Sequence, residues 1–300
     1  MPNYYNQRLN LVLNHINKHV NGDLSLAVLA DVAGFSPYHF HRIFKTLVGE
    51  NLNNFVVRKK LERAVALLKA SPRTSLTQVA FDCGFRSSSD FSRTFKKYFD
   101  IPPSRWDRIS PLRDSKIRQA ESGLPLYHLD ELSHIAAQAE FAVGLKSFPA
   151  CRVAYIRVAD AYVAGNLLQA YERLMGWVER HAGHKRGLLI GMSQDDPDVT
   201  PLSQCRYDIC LTVDEAINGD EEVSVRLLPA CRLAYIHCAG DIEKVDRAWQ
   251  YLYRYWLPNS NYVPDNLPAI ELYRQTPDEI GWLNYDLECA IPIVPFPHYW

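Results

Sequence analysis

The sequence lacks the short motifs on which many enzyme and redox folds depend. No GxSxG, HExxH, P-loop or GxGxxG motif is present, and the seven scattered cysteines form no CxxC pair. An odd number of scattered cysteines favours reduced thiols over a disulfide framework. No apolar run approaches the roughly 18 residues that span a bilayer, and the first residues, MPNYYNQRLN, lack an apolar signal core. We expect a soluble, cytoplasmic, non-enzymatic protein that binds no cofactor or metal and does not enter membranes.

The charges are unevenly distributed along the 300 residues. Residues 1 to 118 contain 19 Lys and Arg against 9 Asp and Glu, whereas 119 to 300 contain 14 against 25. A basic half favours a polyanionic partner, because Lys and Arg clusters release counterions when they meet phosphates. Helix faces that differ only in solvated charge are the alternative interpretation. The length itself predicts about two domains.

One phrase occurs twice in the basic half. FHRIFK at 40 to 45 returns as FSRTFK at 91 to 96, and LADVAGF at 29 to 35 and VAFDCGF at 79 to 85 precede the two copies. In each copy, apolar residues at helical spacing lead to a Gly-Phe turn, and the helix that follows buries its two Phe side chains. Each copy therefore predicts a helix, a turn and a second helix.

The outward faces of the two second helices carry polar and cationic side chains that can meet bases and phosphates. In the first they are Tyr38, His39, His41, Arg42 and Lys45, and in the second they are Ser88, Ser89, Ser92, Arg93 and Lys96. Between the units, NLNNFVVRKKLERAVALLKA predicts one helix of about 27 Å, compared with the ~34 Å between successive major grooves on one side of DNA. The pattern favours one chain reading adjacent grooves, although plain helical hairpins show similar patterns.

These segments resemble a known family. LADVAGFSPYHFHRIFK, RKKLERAVALL and QVAFDCGFRSSSDFSRTFKKYFDIPPSRW are similar to the AraC/XylS type of bacterial transcription regulator over about residues 8 to 107. The resemblance implies two helix-turn-helix units joined by a linker helix. It also implies base-reading roles for Tyr38, His41, Arg42, Ser88, Ser89, Ser92 and Arg93. Asp100 departs from the family, which usually has Gly at that place.

The acidic half also contains a repeat. PACRVAYIRVA at 149 to 159 returns as PACRLAYIHCA at 229 to 239, and the same offset of 80 aligns YDICLTV at 207 to 213 with LECAIPI at 287 to 293. Each copy predicts a strand, an amphipathic helix and two strands around a Pro-Asp turn. The sequence therefore predicts an α+β domain of two pseudo-symmetric β-α-β-β repeats, with a concavity at their junction.

Many aromatic residues and two carboxylates at equivalent strand starts, Asp208 and Glu288, characterise this domain. A carboxylate among aromatic walls favours a cationic or strongly polar ligand, although ordinary core aromatics are the alternative. FPACRVAYIRV, the Pro-Asp turn and ECAIPI resemble the GyrI-like effector-binding domain over about 138 to 296. That resemblance implies ligand contact by Glu288, with Tyr273 and Trp256 as walls. The aromatic cluster adds Tyr155 and Tyr235 as ligand-binding candidates.

The sequence thus predicts an all-α DNA-binding domain at 1 to 109, a linker at 110 to 137, and an effector-binding domain at 138 to 300. The expected function is a DNA-binding transcription regulator that responds to a small organic effector, with RNA polymerase as an open additional partner. Two alternatives stay open for the second domain. It could hydrolyse small electrophilic compounds, with Glu288 as general base, or it could be a protein-binding module.

Overall fold

The computed structural model describes residues 2 to 70, 74 to 106, 141 to 163, 165 to 182 and 187 to 296. The predicted linker at 110 to 137 lies outside the described residues. The first half is helical, as predicted. Its helices are α1 (Pro2–Lys18), α2 (Leu26–Ala33), α3 (Pro37–Val48), α4 (Leu52–Ala70), α5 (Leu76–Asp82) and α6 (Ser88–Phe99).

Two helix-turn-helix units form from α2 with α3 and from α5 with α6. In the first turn Gly34 adopts a left-handed φ of 71°, and the Ser36 hydroxyl accepts a hydrogen bond from the His39 N–H at 3.4 Å. In the second turn Gly84 has a φ of 70°, and a Cβ there would lie 2.9 Å from the Asn21 backbone. A glycine with a left-handed φ therefore forms the turn of each unit.

The Phe pairs in the repeated phrase anchor the second helix of each unit, as predicted. Phe40 and Phe44 are buried, and Phe44 makes an edge contact with Phe55 of α4 at a centroid distance of 5.4 Å. Phe91 and Phe95 are also buried, and Phe95 packs against Trp106 at 5.1 Å. This packing fixes which side of each helix faces outward.

The second half consists of a nine-stranded antiparallel sheet with helices against it. The strands are β1 (Gly144–Phe148), β2 (Cys151–Val158), β3 (Leu189–Ser193), β4 (Tyr207–Thr212), β5 (Ser224–Leu228), β6 (Cys231–Gly240), β7 (Tyr262–Pro264), β8 (Ala269–Gln275) and β9 (Tyr285–Pro295). The helices are α7 (Asn166–Ala182), α8 (Ile242–Tyr251) and α9 (Pro277–Ile280). The strand order is β1-β6-β9-β8-β3-β4-β2-β5, and β7 pairs with β9.

The order strand, helix, strand, strand occurs as β2-α7-β3-β4 in the first copy. In the second copy it occurs as β6-α8-β8-β9, with β7 inserted before β8 and α9 inserted before β9. The pseudo-symmetry between the two copies stays a prediction. Strands β1, β5 and β7 were not predicted from the sequence. The prediction of a second Pro-Asp turn was wrong, because Pro277 begins the short helix α9, whose N-terminus carries a capping box between Thr276 and Glu279.

Helices α7 and α8 cover one face of the sheet. Leu174 and Trp177 of α7 pack with Ile209 and Leu211, and Val245 of α8 packs in the cluster that covers the β6 and β9 end. The opposite face buries a separate apolar cluster that includes Val153, Ile190, Met192, Ile270 and Leu272. Side chains alternate between these faces along each strand, so the register decides which residues reach the helices.

The two halves share an apolar core. The buried cluster that holds Leu61, Phe91 and Phe95 continues into Val199, Leu257 and Val263 of the second half. The first helix-turn-helix unit has a separate cluster, built around Val12, Leu29, Phe40 and Phe44. The second unit and α4 therefore share an apolar cluster with the sheet domain, whereas the first unit has its own.

Within the described part of the chain, no helix is both long and apolar enough to cross a membrane. The same residues contain no group of three or more His, Cys, Asp or Glu side chains placed to hold a metal ion.

Candidate functional site

The predicted base-reading residues lie on the outer faces of α3 and α6. Eight of the ten side chains are exposed, and Ser88 and Ser92 are half-buried. On α3 the Tyr38 ring is 74% exposed, and the Arg42 guanidinium lies 5.9 Å from its centroid. On α6 the Arg93 side chain is 78% exposed and lies 4.0 Å from Asp90. Both arginines are thus free of burial and can reach outward to a nucleic acid.

A cavity of about 700 Å³ lies between α4 and the helix-covered face of the sheet. Aromatic side chains supply much of its wall, and these are Tyr207, Trp249, Tyr253, Tyr273, Trp282 and Tyr285. Tyr162, which is also aromatic, and the apolar residues Val163, Leu168 and Ile242 line it too, and all four are at least 36% exposed. A volume of this order suits a drug-sized organic molecule.

Glu271 of β8 places a carboxylate within this aromatic wall. Its Oε2 accepts hydrogen bonds from the hydroxyls of Tyr207 at 2.5 Å and Tyr273 at 3.5 Å, and its Oε1 accepts one from the Trp249 indole at 3.2 Å. All three donors are neutral, so they orient the carboxylate without cancelling its charge. Burial raises the pKa of Glu271, and the three hydrogen bonds oppose that rise.

Gly191 of β3 makes room for this arrangement. It pairs with Glu271 across the ladder between β3 and β8, and with Ile209 across the ladder between β3 and β4. A Cβ at position 191 would overlap the Tyr207 hydroxyl and lie 3.0 Å from Glu271 Oε2. The glycine therefore lets the Tyr207 side chain cross β3 and reach the carboxylate on the next strand.

Of the predicted ligand residues, only Tyr273 lies in the cavity wall. Glu288 points to the other face of the sheet, because it pairs with Leu272, whereas Glu271 pairs with Cys289. Glu288 forms an ion pair with Lys146, and Arg274 Nη2 lies 3.5 Å from its other oxygen. Glu271, and not Glu288, therefore lies in the aromatic part of the cavity wall.

The other three predicted wall residues also lie outside the cavity. Tyr155 is buried on the face that Glu288 shares, with the Arg226 guanidinium 4.6 Å from its ring centroid. Tyr235 has the Lys146 ammonium 4.7 Å from its ring centroid. Trp256 stacks on Tyr262 with centroids 6.2 Å apart. Each of these rings packs against a protein partner instead of lining the cavity.

Asp208, the predicted counterpart of Glu288, is completely buried and fully paired. Arg157 Nε lies 2.7 Å from its Oδ1, and Arg226 Nη2 lies 2.9 Å from its Oδ2. The same two arginines donate to Asn14 of α1, at 2.8 and 2.7 Å. Asp208 therefore organises a contact between α1 and the sheet.

The sequence does contain a signal for Glu271. In the strand AIELYRQ the carboxylate stands between Ile270 and Leu272, which are both buried. A charged residue between two buried neighbours on a central strand faces the opposite side of the sheet, and there it needs hydrogen bonds or a cavity. The family resemblance points instead to Glu288 on the last strand.

A buried ionic cluster joins α4 to the loops after β3. Arg58 Nη1 lies 3.0 Å from Glu62, 3.2 Å from Asp195 and 2.8 Å from the Thr200 hydroxyl. Arg206 Nη2 completes the cluster at 2.6 Å from Asp195 Oδ1. Burial acts to raise the pKa of Asp195, but the neighbouring cations hold it well below its usual range.

A second carboxylate group lies nearby in the cavity wall. Lys69 of α4 pairs with Asp198 and lies 3.9 Å from Asp196. Burial raises the pKa of Asp196 to about 6, although the positive charge of Lys69 acts to lower it. The end of the cavity next to α4 is therefore more polar than the end that contains Glu271.

Comparison with known proteins identifies both halves. The family described as GyrI-like small molecule binding domain matches residues 137 to 294, and the family described as Helix-turn-helix domain matches residues 29 to 109. The probable transcriptional regulator LumQ of Photobacterium leiognathi is 37% identical over 102 residues, which are 33% of this chain and 41% of that protein. The multiple antibiotic resistance protein MarA of Escherichia coli (strain K12) is 33% identical over 95 residues, 32% of this chain and 74% of MarA.

Among solved structures, the crystal structure of the EcmrR C-terminal domain is 15% identical, with a TM-score of 0.40, and covers 52% of this chain and 99% of that chain. The chain spans 41% of the length of LumQ and 35% of that of YbfP, an uncharacterized HTH-type transcriptional regulator of Bacillus subtilis (strain 168). Both resemblances inferred from the sequence are confirmed by the family matches. Since the matched region exceeds half of the chain, the protein belongs to the family that contains a GyrI-like small molecule binding domain, here combined with an AraC-type helix-turn-helix domain.

Proposed function

We propose that the protein is a sequence-specific DNA-binding transcription regulator whose sheet domain binds a lipophilic organic cation at Glu271. The observation that carries the effector half of this proposal is a carboxylate with three neutral hydrogen-bond donors in an aromatic cavity. The DNA half is supported by the two exposed helix faces and by the helix-turn-helix match. The proposed units are residues 1 to 109 and 138 to 300, joined by 110 to 137.

The roles on DNA follow from side-chain chemistry. Arg42 and Arg93 project from α3 and α6 and can each donate two hydrogen bonds to a guanine edge. Lys45 and Lys96 lie three residues further along each helix, on the same side, where a phosphate contact is favoured. Tyr38, His39, His41, Ser88, Ser89 and Ser92 complete the proposed contact surface. Reading by two units in one chain suits an asymmetric DNA site.

The ligand class follows from the chemistry of the cavity wall. An anion would be repelled by Glu271, and a neutral molecule would leave the desolvated carboxylate without a counter-charge. A cation pairs with the carboxylate and also gains attraction from the faces of Tyr207, Tyr273 and Trp249. The exposed apolar residues along the cavity favour a ligand with bulky hydrophobic groups.

Hydrolysis is a second candidate for the same cavity. The Tyr207 hydroxyl lies 2.5 Å from Glu271, and a carboxylate with a raised pKa can act as a general base. This pair, not Glu288, would then perform the chemistry. Turnover of an electrophilic ester by the wild-type chain, abolished in Glu271→Gln, would support this function over sensing.

The experiment that tests the regulator proposal is a selection of bound duplexes from a random pool, with the full chain at physiological salt. It is repeated with tetraphenylphosphonium, a lipophilic cation, and with tetraphenylborate, an anion of the same shape. We expect an enriched asymmetric motif and calorimetric binding of the cation alone. A pool that shows no enriched sequence would overturn the DNA half, and equal binding of cation and anion would overturn the effector assignment.

A further inference from the structure

One wall of the effector cavity belongs to the helix that joins the two helix-turn-helix units. Residues of α4 that line the cavity are Lys59, Glu62, Arg63, Ala66 and Lys69. They recur at positions i, i+3, i+4, i+7 and i+10, so they form one continuous face of the helix. Asn17 in the last turn of α1 and Val20 just after that helix also contribute to the wall.

This helical wall is fixed to the sheet domain at several points. Arg63 Nη1 donates to the carbonyls of Pro264 at 2.5 Å and Asp265 at 3.2 Å. Lys59 Nζ donates to the Gln194 carbonyl at 2.7 Å. Towards the end of the helix, Lys69 pairs with Asp198. Helix α4 is therefore held across the cavity by contacts along its length.

The same helix determines how the two DNA-reading units are placed. Leu61, Ala64, Val65 and Leu68 on α4 belong to the apolar cluster that contains the second unit, and Phe55 belongs to the cluster of the first. A shift of α4 relative to the sheet domain thus changes packing on both sides. The cavity and the spacing of the DNA-reading helices depend on one element.

We propose that the effector site is composite: a bound effector contacts Ala66 of α4, and this residue limits the size of the ligand. This inference rests on the proposed function and deepens it. Ala66 is half-buried and contributes only a methyl group to the wall. A larger side chain there would occupy ligand volume from the DNA-binding half of the molecule. The chain therefore senses the effector with the helix that holds both DNA-reading units.

The test uses the full chain and tetraphenylphosphonium in isothermal titration calorimetry. We expect Ala66→Leu to weaken binding by about tenfold or more, because added methylenes in a packed wall must displace the ligand or strain the protein. Ala216→Leu is the matched control, since Ala216 is exposed and lies outside the cavity wall, and it keeps wild-type affinity. If Ala66→Leu does not fold, as judged by circular dichroism, Ala66→Val provides the smaller step, with a loss of about threefold.

Two results separate failure of this inference from failure of the proposed function. Wild-type affinity in the folded Ala66 variant, together with loss of binding in Glu271→Gln, would show that the cavity binds the cation without α4. That result would overturn the composite site and leave the proposed function intact. No cation binding by the wild-type chain would overturn the effector assignment and this inference together.

Discussion

At the scale of single residues, Glu271 decides the chemistry of the cavity. Its carboxylate is oriented by Tyr207, Tyr273 and Trp249, and burial raises its pKa. A cation that binds there replaces lost solvation and stabilises the ionised form. Binding of the cation and release of a proton from Glu271 are therefore linked.

Glu271→Gln should weaken tetraphenylphosphonium binding by about tenfold or more, since a paired, partly desolvated charge is worth more than ~1.4 kcal/mol. In the wild-type chain the affinity for the cation should rise with pH. The raised pKa of Glu271 keeps part of this carboxyl group protonated at pH values where an ordinary Glu is fully ionised, and the protonated form binds the cation less well. Calorimetry across a pH series measures both effects.

The matched control is Glu215→Gln, which removes an exposed carboxylate outside the cavity wall and should leave the affinity unchanged. The variant Glu271→Gln should also lose most of the pH dependence. Equal affinity and an equal pH profile in the Glu271 variant would contradict the assignment.

Gly191→Ala should lower the free energy of unfolding by about 1 to 3 kcal/mol, because the new Cβ overlaps the Tyr207 hydroxyl. Gly176→Ala is an informative comparison. Gly176 lies within α7, and a Cβ there would meet Arg180 Nη1 at an ordinary 3.5 Å. The higher helix propensity of Ala predicts that the free energy of unfolding rises by up to about 1 kcal/mol. Urea denaturation measures the free energy of unfolding of both variants, which should fall for Gly191→Ala and rise for Gly176→Ala. An unchanged free energy of unfolding in Gly191→Ala would show that the Tyr207 side chain has room to move.

At the scale of elements, α3 and α6 should separate base reading from phosphate contact. Arg42→Ala and Arg93→Ala should each cost about 1 to 3 kcal/mol on the selected duplex and relax preference at one base pair. Lys45→Ala and Lys96→Ala should weaken binding to all duplexes and reduce the salt slope by about one each. Fluorescence anisotropy with matched and mismatched duplexes at several salt concentrations distinguishes base reading from phosphate contact. Unchanged sequence preference after both Arg substitutions would contradict the proposed faces.

The elements also show what the sequence could and could not predict. Caps and buried Phe pairs are local features, so the two helix-turn-helix units and α4 could be derived from nearby residues. The side of the sheet that Glu271 and Glu288 face depends on the pairing of β8 with β9, a long-range register that periodicity alone does not determine. The edge strands β1 and β5 are half-polar and carry little pattern of their own. The charged residues of α4 form a pattern that is typical of a solvent-exposed helix. Arg58 and Lys59 are nevertheless buried, because they pair with Asp195, which is distant in the sequence.

At the scale of the whole molecule, the buried ionic cluster ties α4 to the sheet domain. Asp195→Asn should lower the free energy of unfolding by about 3 kcal/mol, because it leaves Arg58 and Arg206 buried with less counter-charge. Since cations hold the pKa of Asp195 below its usual range, this stabilisation is present above the pKa of an unfolded Asp and is lost as pH falls through the folded value.

Thermal unfolding at pH 7 and at pH 3 measures the effect of Asp195→Asn and its decline in acid. Asp31→Asn is the matched control, since Asp31 is exposed on α2 and does not belong to this cluster. Equal melting temperatures for the Asp195 variant and the wild type at pH 7 would show that the cluster does not hold the two halves together.

A regulator that responds to an effector requires that effector binding in the aromatic cavity be coupled to DNA binding by α3 and α6. Ligand and DNA must then change each other's affinity by the same factor, because binding linkage is reciprocal. The direct measurement is the affinity of the full chain for its selected duplex with and without saturating tetraphenylphosphonium, paired with the affinity for the cation with and without that duplex. We predict equal changes of about fivefold or more in the two titrations. Two affinities that each stay the same in the presence of the other ligand would contradict the account.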